Sequence, residues 1–246
     1  MKITIAYIEE PPFGWMGEGQ AAKGADVELA EVVLRAIGVS RIEYHLTSFS
    51  ELLTGVREGR WDMNVPLFVT PERAEHVAFS LPVWAIGDGF LVQKGNPKVL
   101  TSYATVARRE DARLGIIDGQ VQFDSAKASG VSDAQIIRFK EQPDALAALR
   151  SRTIDAYAST AVGNRVLASS IGNSGLEAVA HENTGSFPVG AFSFNKRNHR
   201  LVQLVNERLR VYLGCVEHRA RMSKFGLTRI EIDGAIFDRT TTGMQM

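Results

Sequence analysis

The chain has 246 residues, 45% hydrophobic and 23% charged, and its 28 basic and 28 acidic side chains leave a formal net charge of zero. With no basic excess or basic run to replace phosphate counterions, nucleic acid is excluded as the main partner. No apolar run approaches the ~20 residues of a membrane span, and the single cysteine, Cys215, excludes an internal disulfide and any multi-cysteine metal site.

Ile3 to Tyr7 reads as a first strand, followed by a rigid loop, Glu9-Glu10-Pro11-Pro12-Phe13-Gly14-Trp15. A helix from Asp26, its expected cap, to Ile37 carries Val27, Ala30, Val33, Leu34 and Ile37 on one face, with Glu28 and Glu31 on the solvated face. Gly38 ends it, Ile42 to Leu46 is a second strand, and Ser48 caps a helix from Phe49 to Gly59. Trp61 to Val69 is apolar apart from Asp62 and Asn64, as suits a buried strand. Thr70-Pro71-Glu72 then supplies an N-cap, a first-turn proline and a first-turn acid. This β-α-β-α-β order implies a parallel sheet.

Arg73 stands in the first turn of that new helix, at a strand-to-helix junction of the kind where α/β proteins bind small ligands. Its planar fork suits a carboxylate; pairing with a neighbouring acid on the surface is the equally simple alternative.

After Pro82 the pattern changes to extended segments at Trp84 to Ile86 and Gly89 to Gln93. A second α/β unit follows, with strand Leu114 to Ile117, a helix from about Phe123, strand Ile136 to Phe139, a helix from Pro143 to Arg150 and strand Ile154 to Ala158. Thr160 to Ser170 reads as helix, Leu176 to Ala180 and Val189 to Phe194 as strands, and Arg200 to Leu213 and Val216 to Lys224 as closing helices. Cys215 falls in the apolar helical stretch Leu204 to Val216, where a buried structural thiol is expected. Phe90, Phe123, Phe192 and Phe194 read as core. Leu53, Val56, Arg57 and Asp62 recur at identical spacing as Leu146, Leu149, Arg150 and Asp155, so two similar halves are expected. The expected lobes are 1–86 with 187–246, and 87–186, joined by hinge crossings near 85–89 and 184–190. A cleft between such lobes binds small molecules by hinge closure.

The five histidines (His45, His76, His181, His199 and His218) lack metal-ligand spacing, and no metal or cofactor site is expected. No Gly-x-Ser-x-Gly elbow, Walker loop or dinucleotide fingerprint appears.

Four features resemble the type II periplasmic solute-binding proteins of ABC importers, in the group for polar amino acids and related compounds. They are the opening strand with Pro-Pro-Phe, the run Gly24-Ala25-Asp26-Val27-Glu28-Leu29, Asp62 leading to Thr70-Pro71-Glu72-Arg73 and Phe79-Ser80-Leu81-Pro82, and Leu114-Gly115-Ile116-Ile117-Asp118-Gly119. The resemblance implies a two-lobed α/β fold and a non-enzymatic receptor for a small polar, carboxylate-bearing solute. It also implies a monomer that delivers its solute to an inner-membrane permease. It makes Arg73 the carboxylate clamp, with help from the backbone N–H groups of Gln120 and Val121 after Gly119, and an aromatic sandwich whose second member is Phe49. The first sandwich position falls at Glu10, in the loop that also carries Phe13 and Trp15. Pro66-Leu67-Phe68 replaces the family's small polar residues, and Thr160 stands where an acid usually binds the ligand's amino group. Glu10 is then a candidate countercharge. The family implies a periplasmic location; no signal sequence precedes the first strand, so a cytosolic one stays open. The alternatives on this fold are a prephenate or arogenate dehydratase-like enzyme and a ligand-sensing domain.

Overall fold

The structure is a computed structural model describing residues 1–170, 172, 175–181 and 187–242, with side chains up to 236 in the last helix. In chain order the elements are β1 (Lys2–Tyr7), β2 (Trp15–Met16), β3 (Ala22–Lys23), α1 (Ala25–Ala36), β4 (Arg41–Leu46), α2 (Phe49–Glu58), β5 (Met63–Phe68), α3 (Pro71–His76), β6 (Ala78–Phe79) and β7 (Trp84–Ala85). Then come β8 (Asp88–Gln93), α4 (Tyr103–Ala107), β9 (Leu114–Ile117), α5 (Gln122–Ala128), β10 (Ile136–Phe139), α6 (Gln142–Arg150), β11 (Ala156–Thr160), α7 (Ala161–Ser170) and β12 (Leu176–Ala180). The chain closes with β13 (Val189–Phe194), α8 (His199–Tyr212), α9 (Val216–Ser223) and α10 (Arg229–Thr242). It divides into one unit of Met1–Ile86 with Ser186–Met246 and a second of Gly87–Gly185. Of the return crossing expected at 184–190, residues 184–186 lie outside the described ones.

In the first unit, β1 runs parallel to β4 and β5, as the β-α-β-α-β order requires. β13 then adds antiparallel to β5, β6 and β7, giving the order β4-β1-β5-β13-β6 with β7 also on β13. The register between β5 and β13 slips between Ala191 and Ser193, opposite Val65 and Pro66. Proline has no N–H for the ladder, which accounts for an irregularity there.

In the second unit the order is β10-β9-β11-β8-β12, with β9 parallel to both neighbours and β8 antiparallel to both of its own. Phe90, Leu100, Val106, Leu114 and Ile116 are among the buried residues at its core.

The internal repeat has a structural counterpart. Asp62 Oδ2 accepts the backbone N–H of Thr4 at 2.7 Å, and Asp155 Oδ2 accepts that of Arg113 at 2.8 Å. The two aspartates also donate their own N–H groups to the carbonyls of those same residues, at 3.0 and 2.8 Å. Each carboxylate thus ties the strand entry after a helix to a parallel strand of its own unit, β1 in the first and the start of β9 in the second.

Several local expectations are corrected. Asp26 is not a cap: Gly24 is, with φ 131°, and a Cβ there would lie 2.2 Å from the Phe13 carbonyl oxygen. Glu28 is not simply solvated, for it pairs with Arg221 at 3.0 Å. Cys215 lies outside helix, because α8 stops at Tyr212; it is the N-cap of α9, its sulfur accepting from the His218 N–H at 3.4 Å. Phe123 packs against the second unit's core as expected, but it is only half-buried and the Arg138 guanidinium lies over its ring, 4.0 Å from the centroid. The sequence reading also missed α4 and α10. The first is only five residues long, and the second carries Gly234 where Ala85 approaches closely.

Candidate functional site

In the first unit the candidate residues gather at the end of β5. Thr70 Oγ1 accepts the Arg73 N–H at 3.2 Å, so α3 starts where the sequence places its cap. Arg73 is only 7% exposed, and its guanidinium is held on two sides. Nη1 donates to the Phe68 carbonyl at 2.9 Å, and the Phe49 ring lies beneath, 5.4 Å from centroid to Cζ. Arg73, Phe68 and Phe49 are therefore brought together, and the arginine is buried rather than on the surface.

The neighbouring residues divide. Leu67 was expected at the ligand, but it packs into the core with Ala6, Leu52, Val56, Trp61 and Val77. Strand alternation sends it to the opposite face from Phe68. Pro66, on the same face as Phe68, is buried. Phe13 is buried against Trp84, with ring centroids 5.9 Å apart. Trp15 turns to Phe225 instead, 6.1 Å away, its backbone fixed by pairing with Lys23. Glu10 is half-buried and exchanges backbone hydrogen bonds with Gly14 at 2.8 and 3.2 Å.

Two residues here were not foreseen. Trp84 stands edge-on to Phe68, with centroids 5.0 Å apart, and its Nε1 donates to Asp26 Oδ1 at 3.1 Å. Burial pushes the Asp26 carboxyl well above the usual carboxylate range. The Trp84 hydrogen bond opposes that shift and the Glu10 charge adds to it.

In the second unit, Gly119 has φ 82° and begins the turn into α5. The Gln120 N–H, expected to face an anion, donates to the Ile117 carbonyl at 3.2 Å within that turn. Val121 is half-buried and is the residue from which α5 starts. Thr160 is the last residue of β11, 6% exposed, and its hydroxyl accepts the Gly163 N–H at 3.0 Å. The Thr160 hydroxyl thus caps α7.

Asp88 lies directly across the sheet from Thr160. Its carboxylate accepts from Tyr103 Oη and Gln122 Nε2, both at 2.8 Å. Burial raises its pKa against those hydrogen bonds. Burial, and then the Asp88 charge, raise Tyr103 well above the usual phenol range. His181 packs edge-on to Phe90 and Tyr103 at 4.2 and 4.8 Å, and burial lowers its pKa to about 4. A lone acid opening the apolar strand Gly89 to Val92 was the available signal for this cluster. Among the described residues, no group of three or more His, Cys, Asp or Glu is placed to hold a metal, and no helix is long and apolar enough to cross a membrane.

Comparison with known proteins matches residues 3–212 to the family described as bacterial extracellular solute-binding proteins, family 3. The protein named Probable amino-acid ABC transporter periplasmic-binding protein y4tE, of Sinorhizobium fredii (strain NBRC 101917 / NGR234), is 31% identical over 246 residues, 97% of this chain and 81% of that protein. Among solved structures, EhuB in complex with hydroxyectoine superposes with a TM-score of 0.85 at 25% identity, covering 96% of this chain and 91% of that one. An ancestral arginine-binding protein bound to glutamine superposes with a TM-score of 0.80 at 22% identity, covering 91% and 97%.

Proposed function

The chain belongs to the bacterial extracellular solute-binding proteins of family 3, the substrate-binding components of ABC transporters, and from that premise we propose which solute chemistry it binds and with which residues. The observation that carries the proposal is the Arg73 guanidinium, buried, anchored on the Phe68 carbonyl and backed by the Phe49 ring. A guanidinium so oriented gives a small carboxylate two parallel donors, and loses little conformational freedom in doing so.

The ligand is a small zwitterion or amino acid whose carboxylate meets Arg73, with Phe49 and Phe68 beside it. In the second unit, the Gly119–Val121 turn and Thr160 are the candidate ligand-binding residues. The positive end needs an anionic partner, and Glu10 supplies it, because the Thr160 hydroxyl is neutral. EhuB was crystallised with hydroxyectoine, and a compact zwitterion of that kind fits such a site better than an α-amino acid with a free primary ammonium. The protein binds without turnover, acts as a periplasmic monomer and presents its load to a permease.

Differential scanning fluorimetry and isothermal titration against hydroxyectoine, betaines, glutamine, arginine and histidine test this directly. A ligand at 100 times its Kd adds about 2.7 kcal/mol of stability, so a clear rise in Tm with one of these is expected. A flat response across zwitterionic and anionic compounds would overturn the proposal.

A further inference from the structure

β13 passes between β5 and β7, and its Gly190 pairs with Phe68 on one side and Trp84 on the other. A Cβ on Gly190 would lie 2.1 Å from the Trp84 ring, so the indole occupies the space that a side chain there would need. By crossing over Gly190 the ring reaches Phe68 at 83° and 5.0 Å. Its other contacts are Phe13 at 5.9 Å and Asp26 Oδ1, which takes the indole N–H at 3.1 Å. Trp84 is 5% exposed and Asp26 2%, so the ring and the carboxyl that takes its N–H are both buried.

A residue that only filled this space would not need a carboxylate beside it. Burying an acid is unfavourable, and an apolar group of similar size packs the same volume without that cost. What the acid adds is direction, because it fixes the rotation of the indole. The indole in turn fixes the face of Phe68, whose carbonyl holds Arg73 Nη1.

We propose that Trp84, oriented by Asp26 and admitted by the missing side chain of Gly190, is a positioning residue that sets the direction of the Arg73 guanidinium through Phe68. The five residues come from α1, β7, β13, β5 and α3, and each link is a distance within the first unit. The inference rests on the proposed function only in taking Arg73 as the group that meets the ligand.

The experiment compares wild type with Gly190→Ala, Trp84→Phe, Asp26→Ala and Asp26→Asn. Trp84→Phe keeps an aromatic ring and guards against a Gly190→Ala protein that does not fold. Three readings are taken: chemical denaturation, the Arg73 Nε–H cross-peak in the ligand-free 1H–15N NMR spectrum, and titration with hydroxyectoine, glutamine and arginine. In Trp84→Phe and Asp26→Ala the Arg73 cross-peak moves or broadens, and binding weakens tenfold or more under conditions where both are fully folded. Asp26→Asn, whose amide oxygen still accepts from the indole, restores both. Lower stability with an unchanged Arg73 cross-peak would reduce Trp84 to packing and overturn the inference. If the wild type binds none of the three compounds while the cross-peak still moves, the positioning role stands and the proposed ligand chemistry falls.

Discussion

The Oγ1 of Thr70 accepts the backbone N–H of Arg73 at 3.2 Å, so the residue that starts α3 also fixes the point from which the guanidinium extends. Two effects separate here. Thr70→Ala removes a cap and should lower stability by about 1 kcal/mol, with a modest loss of affinity. Arg73→Ala should abolish measurable binding, since removing one partner of a desolvated charge pair costs about 2–5 kcal/mol. Titration and denaturation of both variants check the split, and an Arg73→Ala protein with wild-type affinity would remove the clamp.

Thr160 offers a second separation, because its hydroxyl is engaged with the Gly163 N–H. Thr160→Val should destabilise by about 1 kcal/mol through the lost cap. Thr160→Asp retains an acceptor and adds a charge, so it should stay folded and bind glutamine or arginine more tightly than the wild type. Unchanged amino-acid affinity in Thr160→Asp would show that position 160 does not face the ligand's positive end.

His181 makes stability pH-dependent. Its folded pKa, about 4, lies below the ordinary 6.5, so between these values the unfolded chain takes up a proton that the folded one refuses. Stability from this group is fully present above 6.5 and is lost as pH falls towards 4, up to about 3 kcal/mol. Asp26 and Asp88 have raised pKa values and act in the opposite direction, so the comparison must isolate the histidine. Denaturation of wild type and His181→Gln at pH 7.5 and 4.5 does this. The variant should lose less on acidification, and an equal loss would clear His181 of the effect.

The paired aspartates predict damage confined to one unit at a time. Asp62→Ala frees the Thr4 N–H and Asp155→Ala frees that of Arg113, each at a cost of about 1–3 kcal/mol. Hydrogen exchange should accelerate around β1 in the first and around β9 in the second. Acceleration spread evenly over both units would contradict the repeat.

What was legible in the sequence was local. Thr70-Pro71-Glu72 marked a helix start because capping depends on consecutive residues, and Arg73 followed from it. The helix-to-strand repeat ending in Asp62 and Asp155 was equally visible. Trp84 was not, since its meaning lies in Asp26 and Gly190, brought together only by the sheet. Asp26 looked like a cap by position alone, and a buried acid beside an indole leaves no periodic trace. Leu67 was placed at the ligand because Pro66-Leu67-Phe68 stands where the resembled family has small polar residues, yet alternation along β5 assigns it to the core.

The placement of β13 also governs the order in which the molecule can be completed. This strand lies between β5 and β6 in the first unit's sheet, yet it is made after every residue of β8 to β12. Until β13 emerges and pairs, the edge of β5 that will receive it stays open. The second unit, continuous in sequence, has all its strands by then. The half that carries Arg73 is therefore begun first and finished last, and its open edge is the place where a chaperone has most to protect.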